Sequence, residues 1–343
     1  MPKFLIVIVA LLAIALVVFS FSELEEITAT LQQAHPWFLA LAVLVEGVWL
    51  LVLGWIFRSI YGALGLKESR QRMTLLAPAS MFLNIVTPSA GVGGLALFLA
   101  DARRRGHASG KVAVAGALYL LLDEAAFLCV LAVGIAVLFR RGHLGAGEIG
   151  ASLILLAVAC VLASMLYLAY RSPAALGRAL AASARILNRI VHPFIRREWL
   201  SESRAHEFAG EVSEGLGSLP QRPFNLLRPF LLSLANKVLL MGVLIFSFLS
   251  FDVTFTAGTV VGGFSMAYLF LIVSPTPSGI GVVEGIMPLA LRTLGVDIAQ
   301  AVIVTLAYRG ITFWLPLAVG AVALRFLHLN GAPSHDLQSY GTK

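Results

Sequence analysis

The chain has 343 residues, of which 59% are hydrophobic and 13% charged, with a mean hydropathy of +0.90. A soluble chain of this length carries about twice that share of charge, so a water-soluble globular fold is excluded and an all-α polytopic membrane protein is expected. The formal net charge of +7 lies between hydrophobic runs. It forms no basic stripe interleaved with aromatics, so it sets topology and does not point to nucleic acid.

About 20 apolar residues are needed to cross the hydrocarbon core as a helix. In chain order, six runs reach that length: 4–22, 36–57, 112–138, 149–170, 224–250 and 298–324. The first has one Lys before it and no small-residue cleavage site behind it; with the spans that follow, it reads as a first transmembrane helix rather than an uncleaved signal anchor. Two further apolar stretches, 73–101 and 256–295, are broken near the middle by TPSAGVGG (Thr87–Gly94) and SPTPSGIGVVEG (Ser274–Gly285). Proline removes a helix donor and clustered glycine favours non-helical backbone. Both stretches are therefore expected to be re-entrant hairpins with broken tips, at Thr87, Pro88, Ser89, Gly91, Gly93 and Gly94 in one and at Pro277, Ser278, Gly279 and Gly281 in the other. Cys129 and Cys160 fall inside apolar runs and read as packing residues, without a disulfide or a metal site.

Charges between the runs orient the chain. Glu23, Glu25 and Glu26 follow the first span and suggest outside; Arg58, Lys67, Arg70 and Arg72 follow the second and suggest inside. Arg103, Arg104, Arg105 and Lys111 place both ends of the first broken stretch inside, and 171–222, with eight Arg and five Glu, is also cytoplasmic. The second broken stretch is then entered from outside, between Asp252 and Asp297. Both termini are cytoplasmic in an inner-membrane, multi-pass protein; Arg140 and Arg141 fall outside, against the rule. Within the cytoplasmic segment, Leu176, Leu180, Leu187 and Ile190 follow helical spacing, while Arg178, Arg185 and Arg189 share another face. This is either a basic amphipathic helix lying on an anionic membrane or an ordinary solvated linker.

The whole chain, 1–343, reads as one membrane domain containing a repeat. LAVGIAVL at Leu131–Leu138 resembles LAVGAVAL at Leu317–Leu324. Upstream of them lie Asp123-Glu124 and Tyr308-Arg309, then the two broken tips, then Glu46 and Lys237 in mid-span. Each half is helix, broken hairpin, helix, at 36–139 and 224–326, and the charges make the halves enter from opposite sides. Transporters built this way place their site near the midplane between discontinuous helices.

Glu46, Asp123, Glu124, Lys237 and Arg309 fall near the centres of their spans. Each would cost about 2.5–3.5 kcal/mol facing lipid, so they face one another, a cavity or a polar ligand. Adjacent Asp123 and Glu124 point about 100° apart on a helix, so both cannot face one direction equally well. A helix starting after a glycine-rich break offers free N–H groups and a positive dipole end to an anion. Glu284, in the first turn after the second break, is either a helix-start charge or a ligand-contacting carboxylate. No HExxH, Walker, GxSxG or paired-Cys motif is present. No enzyme activity, cofactor or metal is therefore expected.

The segments NIVTPSAGVGG and PTPSGIGVVEG, the mid-membrane Asp123, and AYRGITFWLPLAVG together resemble the lysylphosphatidylglycerol synthase transmembrane region, a flippase-like family also described as UPF0104. The resemblance covers about residues 36–326, with Pro277, Gly279, Gly281, Glu284, Tyr308, Arg309 and Pro316 matching its second motif, and it implies that Asp123, which fits the family pattern more closely than Glu124, is the inward acid. It implies translocation of a phospholipid or another polar-headed lipid between leaflets. Fewer than twenty residues follow the last span, so the soluble synthase of the best-known members is not expected here. Where relatives often carry Glu and Arg, this chain has Leu95 and Phe98, and Tyr119 and Leu120. A lysyl head group is thereby disfavoured.

The expectation is a lipid carrier whose polar path runs between the hairpins. Arg309 and Lys237 would meet a phosphate beside Tyr308 and Glu284, and Asp123, Glu124 and Glu46 would balance them or take up a proton. An ion-coupled carrier of a small soluble anion and a non-transporting scaffold for lipid synthesis are the alternatives.

Overall fold

The structure, a computed structural model, describes residues 34–86, 92–140, 142, 146–172, 174–175, 177–178, 182, 210, 212–217, 224–274 and 276–329. The first hydrophobic run, the tip residues Thr87, Pro88, Ser89 and Gly91, and most of the 174–192 segment lie outside them. The long elements are all helices: α1 (Pro36–Ala63), α2 (Arg70–Val86), α3 (Val92–Arg104), α4 (Ser109–Arg140), α5 (Ala146–Arg171), α6 (Phe224–Ser250), α7 (Ala257–Val273), α8 (Val282–Thr293), α9 (Ile298–Arg309) and α10 (Leu315–Leu329).

Local chemistry sets the ends. Pro36 opens α1, where its missing donor costs nothing and its fixed φ suits the helix. Thr256 and Thr259 close a reciprocal capping box on α7, and the Asp297 carboxylate takes the Ala299 N–H at 2.9 Å to start α9. Gly65, at φ 72°, turns the chain after α1. A π-helical turn, Gly310–Trp314, joins α9 to α10. Pro316 follows at once and cannot donate to the Thr312 carbonyl, which weakens the regular ladder there.

Among the described residues, five helices are long and apolar enough to span a bilayer: α1, α4, 149–168 of α5, 225–250 of α6, and the continuous α9–α10 rod. They coincide with five of the six runs read from the sequence. The two broken stretches become the shorter pairs α2–α3 and α7–α8, each packed on itself. The largest interface is α1 on α6. Beside it, α2 packs against α10 and α7 against α4.

With no hydrophobic drive between helices in lipid, small residues that allow close approach decide packing. Gly320 of α10 presses on α2: a Cβ there would lie 2.7 Å from Phe82 Cβ and would strike the Pro78 carbonyl. Gly134 of α4 presses on α7, where a Cβ would lie 2.5 Å from Ser265 Cβ. Gly320→Leu and Gly134→Leu should each cost about 1–3 kcal/mol of stability through overpacking, measured as a lower thermal midpoint in detergent. Gly47→Leu, whose Cβ would meet nothing within 4 Å, should leave it unchanged.

The outer surface carries Trp37, Leu44, Leu153, Ile154, Val161 and Val322, all exposed apolar side chains that suit lipid. Cys129 and Cys160 also lie on this exposed side. The expectation that they are packing residues is therefore corrected: a thiol is a small hydrophobe that can face apolar surroundings without a partner.

Candidate functional site

Lys237 sits in the middle of α6 with its side chain 1% exposed. Its Nζ donates to both Asp123 carboxylate oxygens at 2.8 Å and to the Tyr268 hydroxyl at 2.5 Å. It also lies 4.2 Å from the Tyr268 ring centroid, within cation–π range. One ammonium thus spends its donors on α4 and α7 while its stem belongs to α6. Phe127 and Phe264, with ring centroids 4.6 and 5.4 Å from that of Tyr268, fix the phenol in place. Asp123, not Glu124, meets the cation. Glu124 is within electrostatic reach of Asp123 and Lys237, but its Oε2 is buried without a hydrogen-bond partner.

A second charged centre organises the tip between α7 and α8. Pro277–Gly279 form one short 3-10 turn, with Ser278 at φ 52°, Gly279 at 69° and Gly281 at 78°. Arg309, at the end of α9 and 3% exposed, donates from Nε to Glu284 Oε1 and from NH2 to the Ser278 carbonyl at 3.1 Å. The other Glu284 oxygen accepts the Gly281 N–H at 2.8 Å. Glu284 therefore satisfies the start of α8 and binds Arg309 with the same carboxylate. The Arg309 guanidinium also lies 5.1 Å from the Phe313 ring, inside the π-helical turn.

Glu46 completes the set of mid-span charges. It is fully buried on α1, and neither carboxylate oxygen has a hydrogen-bond partner. Tyr308, buried on α9, lies within electrostatic reach of Glu46, Arg309 and Tyr268. Thr305, one turn earlier on the same helix, also has a buried Oγ1 without a hydrogen-bond partner.

The first break is seen from its far side. Gly94 N–H donates to Asn84 Oδ1 at 2.6 Å, and a Cβ at Gly94 would sit 2.8 Å from the Ser80 carbonyl. Asn84, at the end of α2, thus ties the first turn of α3. Gly93, beside it, lies in that same turn. At the opposite end of this pair Arg72 holds Asp101, with Nε 3.1 and 3.2 Å from the two oxygens. That hydrogen bond raises the guanidinium pKa further above its ordinary value. Glu68 takes Arg105 at 2.7 Å and His107 at 2.8 Å.

The family model of the lysylphosphatidylglycerol synthase transmembrane region matches residues 4–320, a span that includes both broken stretches and both charged centres. The chain belongs to that family. Against curated proteins, no match is found. Membership in the lysylphosphatidylglycerol synthase transmembrane region family gives the chain a membrane, lipid-related setting. Two of its departures from the expected charges fall together: Phe98 and Tyr119 stack on the Phe57 ring, with centroids 4.5 and 4.4 Å away. An aromatic stack occupies a place where the resemblance led us to expect ionised side chains.

Several contributors were not singled out in the sequence. Tyr268 is one hydroxyl in an apolar helix, and only the fold brings it to Lys237. Asn84 opens a quoted motif but has no pattern of its own. Asp101 and Glu68 lie among basic residues and read there as ordinary topogenic charge.

Proposed function

We propose that the protein is a carrier, without catalytic chemistry, that moves an anionic phospholipid between leaflets along a path between its two broken hairpins. The observation that carries this reading is the bridging role of the buried cations. Lys237 joins α6 to α4 and α7, and Arg309 joins α9 to the tip before α8. A phosphodiester offers each cation the same charge-assisted chemistry as its carboxylate. A head group can therefore exchange for Asp123 or Glu284, and the helices those acids tether are then free to part. Acyl chains would stay in the bilayer throughout.

We read 36–139 and 224–326 as repeats of opposite orientation, with the hairpins re-entrant and both termini cytoplasmic in an inner membrane. Crossed packing supports this: α2 lies on α10 and α7 on α4. Gly134 and Gly320 occupy the same place in LAVG and each presses on the hairpin of the other half. Asp123 and Arg309 both lie eleven residues before those glycines.

The test is reconstitution with fluorescent phosphatidylglycerol. Wild type should expose the probe to an external quencher faster than protein-free vesicles; equal rates would end the proposal. Glu46, buried without a partner, is our candidate for a coupled proton. Glu46→Gln should keep exchange in the absence of a gradient and lose its acceleration by a proton gradient. The closed state of both ion pairs also fits a non-transporting scaffold, which predicts no exchange by wild type at all.

A further inference from the structure

The end of the bundle where α1 finishes and α6 begins holds a pocket of about 910 Å³ that the mid-span charges do not line. Its wall is made by Trp55, Arg58 and Gly62 of α1, Lys67 and Arg70 before and at the start of α2, and Arg228 of α6. Four cations from three segments converge on one concavity. None of the four has a carboxylate partner among the described residues. The acid in the lining, Glu68, does not neutralise them. Its side chain is 1% exposed, and both its oxygens are held by Arg105 and His107.

Two further observations distinguish this pocket from charge merely scattered along a membrane edge. Arg58 Nε is buried and has no hydrogen-bond partner, and a buried donor is nearly always matched by an acceptor. The wall at Gly62 is open as well: a Cβ there would meet no atom within 4 Å. Asn225, in the first turn of α6, also lines the pocket, and the unpaired N–H groups of a first turn favour an anion. Trp55, 47% exposed, gives one wall the apolar body and polar edge suited to the depth of lipid head groups.

We propose that this pocket is a phosphate-binding site, separate from the central charges, recognising the anionic phosphate shared by a phospholipid head group and a soluble phosphate. The inference concerns binding and does not rest on transport.

The experiment measures phosphatidylglycerol retained by detergent-purified full-length protein in native mass spectrometry, with inorganic phosphate as the competing probe. Wild type should retain phosphatidylglycerol over phosphatidylcholine, and the double variant Arg58→Gln/Arg228→Gln should lose at least about tenfold in affinity. Gly62→Leu keeps every cation but adds a bulky side chain to the lining, and should lose binding to a similar degree with an unchanged melting temperature. Arg103→Gln removes one charge from an exposed site outside the pocket and should bind as wild type does. Displacement by inorganic phosphate would identify a soluble phosphate as a ligand; resistance to it would identify the lipid. Equal losses in Arg103→Gln and in the pocket variants would reduce the effect to diffuse charge and overturn the site. So would full binding by Gly62→Leu.

Discussion

Lys237→Met is expected to lose about 3–5 kcal/mol of stability, the usual result of removing one partner from a buried ion pair. It should also cut lipid exchange at least tenfold. Asp123 would keep only the Tyr268 hydroxyl, 3.5 Å away, as the described partner of a charge inside the helix bundle. A loss of that size is a large part of the net stability of an ordinary domain, about 5–15 kcal/mol. The informative comparison is the double variant Lys237→Met/Asp123→Asn. It leaves neither member of the pair charged, so its denaturation midpoint should recover most of the loss. Its exchange rate should stay low, because the cation that would take the phosphate is gone. Recovery of both properties in reconstituted vesicles would make the pair purely structural and favour the scaffold. Recovery of neither would mean that the Tyr268 cluster depends on the ammonium itself.

The sequence was informative where the bilayer imposes a hard rule and weak where side chains meet across the fold. Run lengths placed α1, α4, α5, α6 and the α9–α10 rod, because a membrane crossing has a fixed length. Proline and glycine placed the break before α8 to within a residue, since both act on their own backbone. Charges such as Lys237 and Arg309 were recognisable because an apolar span should not contain them. Their partners were not. The pairing of Lys237 with Asp123 spans 114 positions and that of Arg309 with Glu284 spans 25, and no local period encodes either. Tyr268 needed the contact of α7 with α4 before it acquired a role. The π-helical turn was equally hidden: Pro316 hints at a disturbed ladder, but the altered hydrogen bonding appears only in three dimensions.

Arg309→Ala should loosen the second hairpin tip more than any other single change there. The guanidinium uses Nε for Glu284 and NH2 for the Ser278 carbonyl, so it fastens a side chain and the backbone of a turn at once. The tip, 276–281, includes three residues at positive φ, Ser278 among them. A non-glycine residue in this conformation persists only where its surroundings enforce it. Without Arg309, amide exchange across 276–281 should accelerate at least tenfold while α7 and α9 stay protected. Lipid exchange should fall at least tenfold. Arg309→Lys should rescue little, since a single ammonium lacks the planar fork that serves both acceptors. Glu284→Gln should be milder on the tip, because its amide oxygen can still accept the Gly281 N–H and Arg309 keeps the Ser278 carbonyl. The order of tip exchange, Arg309→Ala above Arg309→Lys above Glu284→Gln, is what the shared clamp requires. If Glu284→Gln frees the tip as much as Arg309→Ala does, the carboxylate alone holds the turn. If the tip is freed and lipid still crosses at the wild-type rate, the hairpin has no part in transport.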